Sequence, residues 1–292
     1  MSQRLKDVLH SPPSENFLAV LGSPIDHSLS PLIHGNALNK IQSDWKYIAI
    51  QVPEEDVELL PELLNLSQFR GANVTIPLKK QVSEFVDFCD DEVRQTGAAN
   101  TIYHNESGWG AANTDIHGFL FPLWERESFL SGSKAVVLGT GGAARAVCYA
   151  LGEHLKMDWI FLVSRKPDQV DPETYPSTRR IEPVDYTRLP SILSDSKLVV
   201  NTTPVGMHPK MDKSPIPDEI APLLKQKICY DLIYRPEKTL FLQQAEKAGG
   251  EPIGGLSMFV HQAAKSFQIW TGEPFPSEEA ETLIRNTIYE SN

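Results

Sequence analysis

Short apolar runs alternate with helix-period stripes along the first hundred residues or so of the chain. Phe17-Leu18-Ala19-Val20-Leu21-Gly22 is an apolar run of strand length, ended by Gly22 and Pro24. Behind Pro31, a residue suited to a helix's first turn, Leu32, Ile33, Ala37 and Leu38 recur at helical spacing. Residues 45–52 read as a second strand, and residues 54–66 as a helix with Leu59, Leu60, Leu63 and Leu64 on one face. A third strand is expected over residues 72–76, stopped by Pro77, which has no N–H for the ladder. A helix over 80–88 and a strand pair over 99–103 and 109–112 follow. Such a β-α-β-α-β series predicts an α/β layer fold.

Ala112-Asn113-Thr114-Asp115 is a turn-rich junction, and a helix leads away from about Ile116. A second series begins at Ser133, with a strand over 134–138, a helix over 142–155 and a strand over 159–163. Residues 168–183, rich in Pro, Asp and Thr, read as an irregular surface connection. Strands are expected over 198–201 and 228–232, and a helix over 238–248. A final helix spans 257–270, with Met258, Phe259, Ala263, Phe267 and Trp270 among its apolar positions. There are no internal repeats and no low-complexity tracts.

The length of 292 residues, 41% hydrophobic and 22% charged, suits two globular domains. No apolar run is long enough to span a bilayer, and residues 1–16 lack the apolar core of a signal peptide. Cys89, Cys148 and Cys229 are odd in number and have no metal-ligand spacing, which fits a reducing cytoplasm with the thiols as buried filler. His27, His34, His117 and His261 lack metal-ligand spacing too, so no metal is expected. The net charge of −11 argues against a general nucleic-acid or membrane surface, though not against a local basic pocket.

Four stretches, and Asp115 outside them, carry chemistry. Gly139, Gly141 and Ala144 follow a strand and open a helix, the context in which a glycine-rich turn brings backbone against a pyrophosphate at a helix N-terminus. The next strand ends Ser164-Arg165-Lys166, with no acid to accept from an NAD ribose and two cations where a 2′-phosphate would lie, which favours NADP. Asn73 and Thr75 share one face of their strand, Val74 and Ile76 the other, and Lys79 follows the turn. Two neutral hydrogen-bonding groups beside an ammonium suit a small polyhydroxylated anion; an amphipathic strand ending in a solvated lysine would look the same. Ser28 and Ser30 could share one carboxylate or simply form a turn. Lys79 and Asp115 could shuttle a proton to or from a ketone oxygen, or form a structural ion pair.

In chain order, His27-Ser28-Leu29-Ser30-Pro31, residues 71–79, Gly97-Ala98-Ala99-Asn100-Thr101 and Asn113-Thr114-Asp115-Ile116-His117-Gly118 are followed by residues 139–145, 201–207, 230–236 and 254–262. Together they closely resemble the shikimate dehydrogenase family, from about Phe17 to the C-terminal helix. The resemblance implies reversible NADPH-dependent reduction of 3-dehydroshikimate to shikimate, on the route to chorismate and the aromatic amino acids. It implies two α/β domains with a cleft between them: a discontinuous substrate domain, 1–115 plus 252–292, and a Rossmann-like NADP domain, 116–251. Ser28, Ser30 and Tyr234 would serve the substrate carboxylate, and Asn73, Thr75, Asn100, Asp115 and Gln262 the ring hydroxyls. Lys79 would be the acid/base, with Asp115 beside it. Gly139, Thr140, Gly141, Gly142, Ala143, Ser164, Arg165, Lys166, Thr203, Leu232 and Gly255 would hold the cofactor. The implied partners are small molecules only, for a monomer or homodimer.

The chain departs from the family pattern in three places. Ser164 and Lys166 flank Arg165 where Asn and Thr are usual, Gly254 stands where Asp commonly precedes the glycine, and Thr140 replaces a frequent Ala. Three other readings compete. A quinate/shikimate enzyme using NAD would tend to alter the first serine or carry an acid near Ser164. A non-catalytic dinucleotide-binding relative would tend to lose Lys79 or Asp115. An enzyme like methylene-tetrahydrofolate dehydrogenase would not require the Ser28/Ser30 pair.

Overall fold

The computed structural model describes residues 2–288; Met1 and residues 289–292, the outermost residues of the expected substrate domain, lie outside the described residues. Two compact α/β units are present, one of residues 2–115 and 260–288, the other Ile116–Phe259. The chain crosses between them after Asp115 and again inside the helix Gly255–Thr271.

The first unit is built on seven strands: β1 (Gln3–Arg4), β2 (Phe17–Gly22), β3 (Lys46–Gln51), β4 (Phe69–Val74), β5 (Phe88–Cys89), β6 (Thr101–Asn105) and β7 (Gly108–Ala112). They form one sheet in the order β1-β3-β2-β4-β6-β7-β5, parallel except where β6 meets β4 and β7. Every residue of β2 is buried, as a strand covered on both faces requires. Phe17, Ala19 and Leu21 face one core with Leu60, Leu63 and Val74. Leu18 and Val20 face another with Ala37, Leu38 and Phe267. That alternation is the two-residue period of a strand.

Several local expectations change. β4 stops at Val74 rather than at Ile76, because the Thr75 carbonyl accepts from the Leu78 N–H (2.9 Å) and closes a turn over Ile76 and Pro77. Ile76 is therefore 64% exposed instead of sharing the core face with Val74. The expected helix over 80–88 is two short 3-10 turns, Leu78–Lys80 and Val82–Glu84, before Phe88 joins the sheet edge beside Gly110. The stretch 54–66 divides into a 3-10 turn, Glu54–Leu59, and a short helix, Leu60–Leu64. The helix expected from about Ile116 starts at Thr114, which puts Asp115 on its first turn. Unforeseen helices cover Leu5–His10, Asp91–Thr96 and Ser277–Ile288.

The second unit has six parallel strands: β8 (Lys134–Leu138), β9 (Trp159–Val163), β10 (Arg180–Val184), β11 (Leu198–Asn201), β12 (Ile228–Asp231) and β13 (Glu251–Ile253). Their order is β10-β9-β8-β11-β12-β13. The chain winds from β8 to one edge, then returns to β11 and winds to the other. The carboxyl ends of β8 and β11 therefore flank the switch point where open α/β sheets bind ligands. β10 lies partly inside the expected irregular connection over 168–183, and β13 was not foreseen. Both are edge strands that contain a proline, Pro183 and Pro252, which a sheet tolerates only at its edges or bulges. A helix over Leu189–Ser194 was also not foreseen.

Candidate active site

Lys79 lies in the 3-10 turn after β4, and its carbonyl accepts from the Ala99 N–H (2.7 Å). Its Nζ donates to Asp115 Oδ2 at 2.5 Å. The two side chains are 33% and 21% exposed, so water screens the pair and it adds little to stability. Its proximity matters more for chemistry: an ammonium and a carboxylate in contact can exchange a proton with a third group.

Asn100, buried just before β6, organises the rest. Its Oδ1 accepts from the Thr114 N–H (2.7 Å), which can only donate, so the amide orientation is fixed. Its Nδ2 then points to Asp115 Oδ1 (2.8 Å) and Gln262 Oε1 (3.3 Å). Asn73, also buried, accepts from the Tyr47 hydroxyl (2.7 Å) and donates to Ser266 Oγ (2.9 Å). Ser266 joins Thr101 (2.8 Å) and Thr114 (3.0 Å). A continuous polar chain thus runs from Tyr47 through Asn73, Ser266, Thr114 and Asn100 to Asp115 and Lys79. An unpaired buried polar group costs about 1–3 kcal/mol, so such a chain holds its members to one arrangement.

Thr75 follows β4, its N–H donating to the Leu21 carbonyl (2.9 Å). Ser28 Oγ accepts from the Ser30 N–H (3.3 Å), and Ser30 is the buried first residue of the helix Ser30–Lys40. On the same helix His34 is fully buried, stacked on Tyr47 with ring centroids 4.5 Å apart. Burial keeps the imidazole neutral, its pKa pushed down to about 3. Tyr234 belongs to the second unit, where it stacks on Phe259, and burial raises the pKa of its phenol.

The glycine-rich turn of the second unit joins β8 to the helix Gly142–Tyr149. Gly139 has φ +104, and a Cβ there would come within 2.8 Å of both Thr202 Oγ1 and Thr203 Cγ2. Only glycine meets both demands. Around Gly141 and Gly142 a Cβ would meet nothing within 4 Å, and Gly141, Gly142 and Ala143 are exposed. Backbone N–H groups of a helix N-terminus therefore face open space, as phosphate binding requires. The Thr140 carbonyl is held by the Tyr175 hydroxyl (2.8 Å).

Beside it, Asn201 Oδ1 takes both the N–H (3.0 Å) and the hydroxyl (2.7 Å) of Thr203. Asn201 Nδ2 donates to Asp231 Oδ1 (3.0 Å). Asp231 also accepts from Thr239 (2.6 Å) and the Ile233 N–H (3.1 Å), yet burial raises its pKa to about 6. Leu232 donates its N–H to the Asn201 carbonyl (3.1 Å). Gly255 packs so closely that a Cβ would lie 2.2 Å from the Leu232 carbonyl. Arg165 and Lys166 are exposed at the end of β9, and Ser164 Oγ accepts from the Lys166 N–H (3.1 Å). Among the described residues no group of three or more His, Cys, Asp or Glu is placed to hold a metal ion, and no helix is long and apolar enough to cross a membrane.

Tyr47, Thr101, Thr114, Ser266 and Tyr175 are absent from the sequence-based site. Ser266 alone carried a usable signal, lying four residues after Gln262 on one helix and hence on the same face. The others meet their partners only through the fold.

Residues 20–102 match the family model of the shikimate dehydrogenase substrate binding domain, and residues 255–285 that of the shikimate 5'-dehydrogenase C-terminal domain. A shikimate dehydrogenase (NADP(+)) of Caldanaerobacter subterraneus is 35% identical over 272 residues, covering 92% of this chain and 96% of that one. The shikimate 5-dehydrogenase of Listeria monocytogenes, solved in complex with shikimate and NAD, has a TM-score of 0.84 at 28% identity over 92% of this chain and 96% of its own. That of Thermus thermophilus, in complex with NADP(H) and shikimate, has a TM-score of 0.79 at 33% identity over 93% and 99%. With 35% identity over 272 residues, along nearly the whole of a curated relative, the chain belongs to the shikimate dehydrogenase family.

Proposed function

We propose that this chain reduces 3-dehydroshikimate to shikimate with NADPH, reversibly, in the supply of chorismate and the aromatic amino acids. The observation that carries the reading is the Lys79–Asp115 contact, held by Asn100 next to other neutral hydrogen-bonding groups. In reduction, Lys79 Nζ gives a proton to the ketone oxygen as the carbon accepts hydride. Asp115 stabilises the ammonium before the transfer and hydrogen-bonds the neighbouring ring hydroxyl. Asn73, Thr75, Asn100 and Gln262 bind the ring hydroxyls, while Ser28, Ser30 and Tyr234 take the carboxylate. Family membership and the exposure of a lysine–carboxylate pair that contributes little to stability support these assignments.

The cofactor residues fit NADP. The open N-terminus at Gly141 and Gly142, with Thr140 and Ala143 beside it, takes the pyrophosphate. Arg165, between Ser164 and Lys166, takes the 2′-phosphate as a planar fork. Thr203, beside Gly139, and Leu232 with Gly255 packed on it complete the cofactor-binding set. When bound, the nicotinamide supplies or accepts the hydride. The substrate domain is then residues 1–115 with the C-terminal helices, and the cofactor domain the parallel-sheet unit. The protein acts in the cytoplasm as a monomer or homodimer on small molecules, not on nucleic acid.

The test is a panel of initial rates, following reduced nicotinamide absorbance with shikimate or quinate and NADP+ or NAD+. Shikimate with NADP+ should give the highest kcat/KM. Turnover of quinate with NAD+ and none of shikimate with NADP+ would refute the reading.

A further inference from the structure

The function just proposed uses Asn73 and Asn100 but not the hydroxyl that lies behind them. Ser266 is fully buried, on the helix that also carries Gln262. Its Oγ has four polar neighbours: the Gln262 carbonyl (3.0 Å), Asn73 Nδ2 (2.9 Å), Thr101 Oγ1 (2.8 Å) and Thr114 Oγ1 (3.0 Å). A hydroxyl has one proton and two lone pairs. The Gln262 carbonyl can only accept and takes the proton. Asn73 Nδ2 can only donate and takes one lone pair. One threonine hydroxyl fills the other, and the second threonine turns to Asn100 Oδ1, 3.1 Å from both.

This arrangement decides what Asn73 can offer a ligand. Its Oδ1 receives the Tyr47 hydroxyl at 2.7 Å and keeps one lone pair. Its Nδ2 has one near partner, Ser266 at 2.9 Å; the Asn100 carbonyl and Thr101 Oγ1 are both at 3.4 Å. Remove the serine oxygen and Nδ2 keeps only the two contacts at 3.4 Å, while the Tyr47 hydroxyl, which can donate or accept, holds the amide either way round. The Asn100 amide depends on Ser266 far less, because the Thr114 N–H holds Oδ1 independently at 2.7 Å.

We propose that Ser266 is a positioning residue for substrate recognition, acting through Asn73: it fixes the carboxamide so that Oδ1 faces a substrate ring hydroxyl. The inference rests on the reading of this chain as a shikimate dehydrogenase. Asn73 binds the hydroxyl equally before and in the transition state, so its disorder appears in KM rather than kcat.

The experiment compares wild type with Ser266→Ala and Ser266→Cys in steady-state shikimate oxidation. A control, Val8→Ala, empties a buried site in the first unit away from this cluster. Ser266→Ala should raise shikimate KM about tenfold, with kcat within about threefold and NADP+ KM within about twofold of wild type. Ser266→Cys leaves no cavity, exchanges a strong acceptor for a larger and weaker one, and should shift shikimate KM the same way; it decides the matter if the alanine variant does not fold. Val8→Ala should lower the melting temperature and leave both KM values in place. Unchanged shikimate KM in the serine variants, or a parallel rise in NADP+ KM, would overturn the proposal. Absence of shikimate turnover in the wild type would instead refute the function on which it rests.

Discussion

Asn100 shows how one residue can couple binding to chemistry. A backbone N–H fixes its oxygen, so its nitrogen must face Asp115 and Gln262, and Asp115 in turn meets Lys79. The paired lysine and acid were legible in the sequence because one follows the turn after a polar strand face and the other stands at the junction that ends the first series. The hydroxyls of Thr101 and Thr114 were not, since each is an ordinary residue until the sheet and the last long helix meet, and Ser266 was marked only by its spacing from Gln262. Arg165 makes the opposite case, an exposed side chain whose reading came from the chain alone: a cation where NAD-binding folds place an acid. Arg165→Ala should raise the KM for NADP+ at least tenfold, the loss of a charge-assisted contact worth about 1.5–3 kcal/mol, and leave that for NAD+ nearly unchanged. Initial rates with both cofactors check this; equal losses with the two would remove Arg165 from the phosphate.

Among elements, the strands buried on both faces were read most reliably. β2, β8, β9, β11 and β12 are short apolar runs whose alternate residues fill separate cores, and their length separates them from buried helices. The prolines of β10 and β13 hid them, because an edge position is known only once the sheet order is. The segments around Lys79 have too few residues to show a period, so two 3-10 turns looked like one helix. The turn after β8 has little freedom. Gly139→Ala puts a Cβ 2.8 Å from Thr202 Oγ1 at a positive φ, two demands that only movement of the Thr202–Thr203 segment can relieve. Urea unfolding should show a loss of at least about 1 kcal/mol, and NADP+ affinity should fall with it. A variant with wild-type stability and affinity would mean that the turn tolerates what this geometry forbids.

For the whole molecule, the two-sheet α/β organisation was legible because the hydrophobic pattern restarts after residue 133, whereas sheet order came from pairing that no local pattern encodes. One buried acid gives global stability a pH signature. Asp231 has its folded pKa raised from 3.8 to about 6, chiefly by burial. The folded state therefore binds this proton more tightly than the unfolded state does. The stabilisation is complete below about pH 4, and it is lost as pH rises through about 6. The change amounts to ~3 kcal/mol at 1.36 kcal/mol per unit. Asp231→Asn keeps an acceptor for Asn201 and the Ile233 N–H but removes the titration. The stability difference between wild type and variant, from urea midpoints at stepped pH, should move against the wild type between about pH 4 and 6. A difference that stays flat across that interval would mean that Asp231 ionises normally.

The central claim is that Lys79 exchanges the proton at the reacting oxygen, and the Lys79→Ala variant tests it most directly under saturating shikimate and NADP+. The account predicts a kcat lower by about 10²–10⁴-fold, with shikimate KM changed by less than about threefold, because the lysine acts in the transition state. A variant that keeps the wild-type kcat while its shikimate KM rises would contradict it, leaving Lys79 as a binding group beside Asp115.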